Sequence, residues 1–261
     1  MIAGANEDLN YPFHYGIIMA EEVILQHLDY SKGAFGPDAV SPDYLNCIPL
    51  VRYRECCGIG EVIIELESES SITLTVKTIY LSGLTEKEEM IINKSISFKL
   101  TKGDLVIFDV PQNIKVHGLV KAIVDRKRKI NLAHIVCTYR REESINCKIN
   151  DFQDSRLKNY HMIVVDNSST LNFKSNDVVS VIKSPNLGGS SGFTRGIAIA
   201  LKNGFTHVLL NDDDALINPE SVFRMIAFLS VVSSKYDDAS ISGVFLDIDK
   251  PNIVRETGGL I

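Results

Sequence analysis

Val208-Leu209-Leu210-Asn211-Asp212-Asp213-Asp214 is the stretch that decides the fold: a short apolar run followed at once by three carboxylates. The apolar run predicts a β-strand, and the acids then lie at its end. Carboxylates held close together repel one another unless a cation or solvent intervenes. Their hard oxygen ligands suit Mg²⁺ or Mn²⁺, which can bridge them to a diphosphate. The alternative is a solvated acidic turn, since Asp commonly opens loops.

Strands and helices alternate from residue 131 onward. Helical stripes at intervals of three and four residues predict two amphipathic helices, one with Ile145, Ile149 and Phe152 and the other with Phe193, Ile197 and Leu201. The β-α-β-α order predicts a mostly parallel, three-layer α/β sheet. Its predicted strands are Leu132 to Val136, Met162 to Val165, Val178 to Ile182, Val208 to Leu210 and Ile241 to Leu246.

Polar residues follow the first four predicted strands. Thr138-Tyr139-Arg140, Asp166-Asn167-Ser168-Ser169, Ser184-Pro185-Asn186 and the aspartate triplet each come directly after an apolar run. Parallel strands bring their carboxyl ends to one edge of the sheet, where ligands of such folds bind. We therefore expect these four segments to meet there. The three histidines near strand starts are expected to be structural: His134, His161 and His207.

A glycine-rich loop, Asn186 to Gly196, precedes the second of the predicted helices. Closely spaced glycines let a backbone approach a ligand, and a helix amino terminus presents N–H donors to an anion. The loop has neither the spacing of a Walker A motif nor that of a dinucleotide fingerprint. Arg195 lies near the helix start, where a cation opposes the helix dipole; this favours a role as a diphosphate partner. A flexible surface loop is the alternative.

The first half of the chain follows a different pattern. From about residue 60 to 125, apolar and polar residues alternate, as in Ile72 to Lys77 and Ser95 to Leu100, which predicts antiparallel strands. Leu105 to Phe108 and Leu119 to Val124 add two more. Together they predict a β-sandwich domain over residues 1–130, ahead of an α/β domain over residues 131–261. Its tyrosines could stack on sugars, although aromatic residues more often belong to a core: Tyr11, Tyr15, Tyr30, Tyr44 and Tyr53.

Composition excludes several classes of protein. The 261 residues are 45% hydrophobic and 23% charged, with a net charge of −6, which argues against a general nucleic-acid binder. The five cysteines lack metal-ligand spacing and are expected to be reduced thiols. No leader sequence opens the chain, and no apolar run approaches the roughly 20 residues that span a bilayer. The sequence thus predicts a cytoplasmic protein.

Four motifs in this order resemble the family 2 glycosyltransferases with the GT-A fold. They are Cys137 to Arg140, Val165 to Ser169, Asn186 to Gly196 and Asn211 to Asp214. Within that family the chain is most similar to galactofuranosyltransferases, which build galactan from UDP-galactofuranose and carry a β-sandwich-like domain ahead of the catalytic one. The resemblance is specific over residues 131–246 and architectural over residues 1–130.

The resemblance implies a metal-dependent, inverting transfer of a sugar from a UDP-sugar to a glycan or lipid-linked glycan acceptor. Asp212 and Asp214 would hold Mn²⁺ or Mg²⁺ against the diphosphate. Peripheral association with the inner face of the membrane is a further expectation. The nucleotide-binding residues would be Thr138, Arg140, Asp166, Asn167, Asn186, Gly188, Gly189, Arg195 and Asp212.

One part of the family pattern is not assigned. The family's catalytic base, a carboxylate, and a histidine that completes its metal site lie well beyond the triplet. Asp247, Asp249 and Glu256 could line the site, but none is assigned as the base, which we expect to lie beyond Ile261. We therefore expect the amino-terminal portion of a longer enzyme, poorly active by itself and prone to self-association.

Two other functions compete with this one. A sugar-nucleotide uridylyltransferase would carry its glycine-rich loop directly after the first strand, and Thr138-Tyr139-Arg140 is not such a loop. The second is a glycan-binding protein that uses the β-sandwich and keeps a degenerate catalytic half.

Overall fold

The computed structural model describes residues 20–30, 46–111, 114–125, 127–153, 157–247 and 253–256. Two antiparallel sheets come first, a parallel sheet with helices follows, and a two-stranded ribbon comes last. Within these ranges no helix is both long and apolar enough to cross a bilayer. All five cysteines carry free thiols.

The two antiparallel sheets enclose one shared core. The strands predicted from alternation are present, and Leu74 and Phe108 are almost fully buried between the sheets. Thr85–Ile92 was not predicted because it is an edge strand whose mostly polar side chains are exposed. The first sheet has the order β1 (Glu21–Asp29), β7 (Val116–Val124), β2 (Val62–Ser68), β5 (Ser95–Leu100), the second has β4 (Thr85–Ile92), β3 (Ile72–Ile79), β6 (Leu105–Asp109), and α1 (Leu50–Cys57) precedes β2.

Two of the five tyrosines considered as sugar-stacking residues lie among the described residues, and both contribute to the core. Tyr53 is buried, and Tyr30 packs against the same apolar cluster. Tyr11, Tyr15 and Tyr44 lie outside the described residues. Stacking of a sugar on these rings therefore stays a prediction.

The second half forms the predicted three-layer arrangement. Ile145, Ile149 and Phe152 pack on one face of the sheet, and Ala200 packs on the other. Asn218 caps the third helix of this half, its Oδ1 accepting from the Glu220 N–H at 2.8 Å. The parallel sheet has the order β10 (Val179–Lys183), β9 (Tyr160–Asp166), β8 (Leu132–Thr138), β11 (His207–Asp212), and the helices are α2 (Glu142–Asp151), α3 (Gly189–Lys202) and α4 (Pro219–Val231).

The predicted apolar stripe of α3 is wrong at Leu201, which is 68% exposed. The buried face instead consists of Gly192, Gly196 and Ala200. A Cβ at Gly192 would lie 2.2 Å from Cys137 Sγ, and one at Gly196 would lie 2.3 Å from a methyl of Ile135. The helix therefore approaches β8 so closely that small residues form the contact.

The predicted fifth strand of the parallel sheet is also wrong. Of Ile241 to Leu246, only Phe245–Leu246 is extended, as β12, and it pairs antiparallel with β13 (Val254–Glu256) in a separate ribbon. The apolar run predicted a strand, but periodicity carries no information about which sheet a strand joins.

An ion-pair cluster joins the two halves where α4 packs against β1. The Glu220 carboxylate accepts from the His27 N–H at 2.8 Å and from Arg224 Nε at 2.9 Å. Burial acts to raise the pKa of Glu220, but the hydrogen bonds from His27 and Arg224 outweigh it and lower that pKa. A cleft of about 720 Å³ opens near the end of α4, lined also by α1, β2 and β7.

Candidate functional site

The parallel register aligns the carboxyl ends of the strands at one edge of the sheet. Thr138 at the end of β8 lies opposite Asp166 of β9, and Cys137 lies opposite Asp212 of β11. Lys183, the last residue of β10, is also paired with Asp166. The four polar segments that follow these strands therefore share this edge, which we call the polar edge.

The aspartate triplet forms a turn at the polar edge. Asp212 and Asp214 are exposed, and Asp213 is half-buried. Asp213 Oδ2 accepts from Thr138 Oγ1 at 2.9 Å. Arg141 extends toward the turn, 3.3 Å from Asp214 and 3.6 Å from Asp213. Asp212 and Asp214 therefore present carboxylates to solvent.

A divalent cation fits this donor set. Among the described residues, no three His, Cys, Asp or Glu side chains are grouped into a complete metal site. Mg²⁺ in nucleotide sites is commonly bound by one or two carboxylates, with phosphate oxygens and water completing the shell. Asp212 and Asp214 supply oxygens of that kind.

A buried polar network lies beneath the turn. Lys148 of α2 donates to Asn211 Oδ1 and, at 2.8 Å each, to the carbonyls of Asp212 and Ala215. His134 Nε2 lies 3.3 Å from Asn211 Oδ1. His134, which was predicted to be structural, is fully buried and contacts the residue that precedes the triplet.

Burial governs the titration of this network. It lowers the pKa of Lys148 to about 8, although the three aspartates act to raise it. Burial and the neighbouring Lys148 lower the pKa of His134 to about 3, so the imidazole is neutral. Its Nδ1 lies 2.7 Å from the Tyr160 hydroxyl, which donates to it when Nε2 carries the proton toward Asn211. The sequence hinted at Lys148, because it lies next to Ile149 on the apolar face of α2.

Asp166 organises the loop after β9. Its Oδ1 accepts from the N–H groups of Ser168 and Ser169 at 2.9 and 3.0 Å, and Oδ2 accepts from Leu171 at 2.8 Å. Burial acts to raise the pKa of Asp166, but these bonds and one from the Ser168 hydroxyl lower it. The side chain is fully buried, so its predicted contact with nucleotide stays a prediction.

The side-chain amide of Asn167, the residue after Asp166, is buried at the polar edge. Its Nδ2 donates to the Gly188 carbonyl at 3.3 Å and contacts Cys137 Sγ at 3.3 Å. Its Oδ1 is buried and has no hydrogen-bond partner among the described residues. A buried amide oxygen without a donor costs about 1–3 kcal/mol, so the position favours a ligand that brings an N–H group.

The glycine-rich loop leads into α3 at the polar edge. Gly188 has φ of 87°, which favours glycine, and its N–H donates to Asn186 Oδ1 at 3.1 Å. Gly189 begins the helix, whose first N–H groups receive no side-chain cap from residue 188. Arg195 donates from Nη1 to Ser184 Oγ at 3.0 Å, which holds its guanidinium toward the end of β10. The loop thus offers N–H donors and a cation to an anion.

Arg140 adds a second cation at the same edge. It adopts φ of 56°, and its N–H donates to Ser168 Oγ at 3.3 Å. Its guanidinium lies 5.1 Å from the centre of the exposed Tyr139 ring. Positive φ at a residue other than glycine carries a conformational cost, so neighbouring contacts hold this turn in place.

Neither the histidine of the family's metal site nor its catalytic base is assigned to a described residue. The base was predicted to lie beyond Ile261, and Ile261 and Asp249 themselves lie outside the described residues. Asp247 and Glu256 belong to the segments around the β12–β13 ribbon and have no assigned role. The location of the base beyond Ile261 therefore stays a prediction.

Comparison with known proteins gives three results. Residues 134–233 match the model of the family described as glycosyl transferase family 2. A segment of 86 residues is 33% identical to the galactofuranosyltransferase GlfT2 of Mycolicibacterium smegmatis; it covers 33% of this chain and 13% of that protein. A siderophore interacting protein from Acinetobacter baumannii aligns at 10% identity and a TM-score of 0.20, covering 58% of this chain and 78% of that one. A TM-score this low does not indicate a shared fold.

The matched region begins within β8 and contains β9 to β11, all three helices of the parallel sheet, and the aspartate turn. Enzymes of this family typically use a divalent metal, which agrees with the exposed carboxylates of that turn. Sequence match and three-layer fold therefore agree on the same segment. The chain carries a glycosyl transferase family 2 domain over residues 134–233.

Proposed function

We propose that this domain binds a UDP-sugar at the polar edge together with Mg²⁺ or Mn²⁺, and that it transfers the sugar to a glycan acceptor with inversion. The observation that carries the proposal is the meeting of four polar segments at one sheet edge, where exposed Asp212 and Asp214 lie on β11 and the turn that follows it. Parallel α/β sheets bind ligands at this edge.

Asn167 is the proposed partner of the uridine. Its buried Oδ1 receives no hydrogen bond from the described residues, and the N3–H of a uracil ring would supply one. The amino terminus of α3 and the guanidinium groups of Arg140 and Arg195 favour the diphosphate. Thr138 and Asn186 border the same space, although the Thr138 hydroxyl is already directed to Asp213.

The cation would be held by Asp212 and Asp214. When bound, it would neutralise the negative charge that develops on the departing diphosphate. The chain's own residues orient the donor around it, and Arg141 balances the charge of the neighbouring carboxylates. The acceptor hydroxyl attacks from the opposite face of the sugar and gives its proton to a base, for which no residue is assigned.

Galactofuranose is the proposed donor sugar. The support is the similarity to the galactofuranosyltransferase GlfT2, of whose length the matched segment spans 13%. The donor, the acceptor and the activity of the whole protein are therefore proposals.

Calorimetric titration with UDP, with and without Mn²⁺, tests the site. We expect Asp212→Ala and Asp214→Ala to abolish the gain in UDP affinity that Mn²⁺ provides, while Asp177→Ala, which removes an exposed carboxylate near the opposite end of β10, retains it. Unchanged Mn²⁺ dependence in both site variants would refute the metal assignment.

Substitutions of Arg140 and Asn186 test the proposed contacts with the nucleotide. Losing a hydrogen bond to a charged group costs about 1.5–3 kcal/mol, so Arg140→Ala and Asn186→Ala should weaken UDP about tenfold to a hundredfold. If both variants bind UDP as tightly as the parent, the nucleotide does not bind at the polar edge. Titration of UDP-galactofuranose against UDP-galactopyranose and UDP-glucose then tests the donor; a preference for another sugar would remove galactofuranose alone.

A further inference from the structure

The Lys148 ammonium group lies directly under the aspartate turn. It donates to three oxygens: the Asn211 side-chain oxygen and the carbonyls of Asp212 and Ala215. Those partners come from residues 211, 212 and 215, so they flank Asp213 and Asp214 on both sides. One side chain therefore forms hydrogen bonds with residues at both ends of the turn.

The rest of the network makes this anchor rigid. Lys148 is 3% exposed and lies between the apolar residues of α2. Asn211 Nδ2 donates to the same Ala215 carbonyl at 3.3 Å. One turn earlier on α2, Ser144 Oγ donates to the Asp213 carbonyl at 2.6 Å. The backbone of residues 212, 213 and 215 is thus held by donors of one helix face.

We propose that Lys148 is a positioning residue that sets the backbone shape of the aspartate turn and thereby aims the Asp212 and Asp214 carboxylates at a shared divalent cation. The inference rests on the proposed metal site. Lys148 points its ammonium at backbone and amide oxygens, and the bonds it makes place the carboxylates of other residues. Its role differs from that of the aspartates because it would act through them.

Charge alone predicts the opposite effect. A cation beneath the turn repels Mn²⁺, so removing it should tighten Mn²⁺ binding if the lysine contributes only charge. If the lysine sets the shape of the turn, its removal should weaken Mn²⁺ binding, because two carbonyls and an amide lose their shared donor. The sign of the change therefore separates the two roles.

The experiment titrates Mn²⁺ into the full chain at saturating UDP, followed by the electron paramagnetic resonance signal of free Mn²⁺. Lys148→Met keeps the length of the side chain and removes the ammonium. Lys202→Met, on the exposed end of α3, removes the same charge without disturbing the turn. We expect Lys148→Met to weaken Mn²⁺ binding about tenfold or more, and Lys202→Met to change it by less than about twofold.

Ser144→Ala provides a second test that is independent of a buried charge. It removes one neutral hydrogen bond to the turn from a half-buried site, so the fold should persist, and Mn²⁺ binding should weaken by roughly fivefold. Circular dichroism of each variant confirms folding, and Ser144→Ala decides the matter if Lys148→Met does not fold.

The outcomes separate the two proposals. Equal or tighter Mn²⁺ binding by folded Lys148→Met, or by Ser144→Ala if Lys148→Met does not fold, overturns the positioning role and leaves the metal site standing. Failure of the parent chain to bind Mn²⁺ with UDP overturns the metal site and the positioning role with it. Weaker binding in both variants, with Lys202→Met parent-like, supports the inference.

Discussion

We expect His134 to make the half of the protein with the parallel sheet sensitive to acid. Its pKa falls from an ordinary 6.5 to about 3 in the folded protein, chiefly because the ring is buried and secondly because Lys148 is near. The stability that belongs to the neutral ring is fully present above pH 6.5, the pKa of the unfolded chain. It is lost as the pH falls toward 3, the pKa of the folded protein, because only the unfolded chain binds the proton over this range. From pH 7 to pH 5 the loss from this one group is about 2 kcal/mol, and its limit below pH 3 is about 5 kcal/mol.

His134→Gln tests that magnitude because it removes the titrating ring. Urea unfolding followed by circular dichroism, needed because the chain has no tryptophan, gives the free energy of unfolding of both proteins at pH 7, 6 and 5. Protonation of Asp166 and Glu220, whose pKa values are lowered, destabilises both proteins in acid. The difference in free energy of unfolding between parent and variant therefore isolates the contribution of His134. We expect the parent's advantage to shrink by about 2 kcal/mol between pH 7 and pH 5. If the free energies of unfolding of parent and variant change equally between pH 7 and pH 5, the pKa of the His134 ring is not depressed and the reasoning is refuted.

Two further predictions concern the packing of α3 on the sheet and the ion pair where α4 packs against β1. Gly192→Ala should destabilise the protein by roughly 1–3 kcal/mol in urea unfolding, since its Cβ would lie 2.2 Å from Cys137 Sγ. Adding Cys137→Ala should recover much of that loss, and Gly189→Ala, with nothing within 4 Å, should not show it. Glu220→Gln should lower the thermal unfolding midpoint, because breaking a buried ion pair costs about 3 kcal/mol, whereas the same change at exposed Glu143 should leave it unchanged.

The polar edge was predictable from sequence because parallel strands align their ends whatever their order in the sheet. Each apolar run predicted a strand, and each polar segment followed one, so the edge required no knowledge of strand neighbours. The network under the turn required such knowledge. Lys148 and Asn211 are 63 residues apart and meet only because β11 pairs with β8 beside α2. No local pattern specifies that pairing.

The errors at Leu201 and in β4 share a physical cause. Apolar periodicity assumes that a helix or strand buries large side chains on one face, but α3 buries glycines, because close approach to β8 leaves no room for a Cβ. The edge strand β4 is stabilised by hydrogen bonding to β3 and exposes most of its side chains, so it shows no alternation. Periodicity fails where backbone contact, and not side-chain burial, holds the element.

A charged residue on an apolar helix face is therefore the more useful signal for function. Lys148 interrupts the buried stripe between Ile145 and Ile149, where burial of an ammonium is costly unless acceptors are supplied. The structure supplies three, and two of them are backbone carbonyls of the aspartate turn. A lysine kept at such a position must be matched by oxygens from elsewhere in the fold. Here those oxygens belong to the segment that presents the exposed carboxylates of Asp212 and Asp214 at the polar edge.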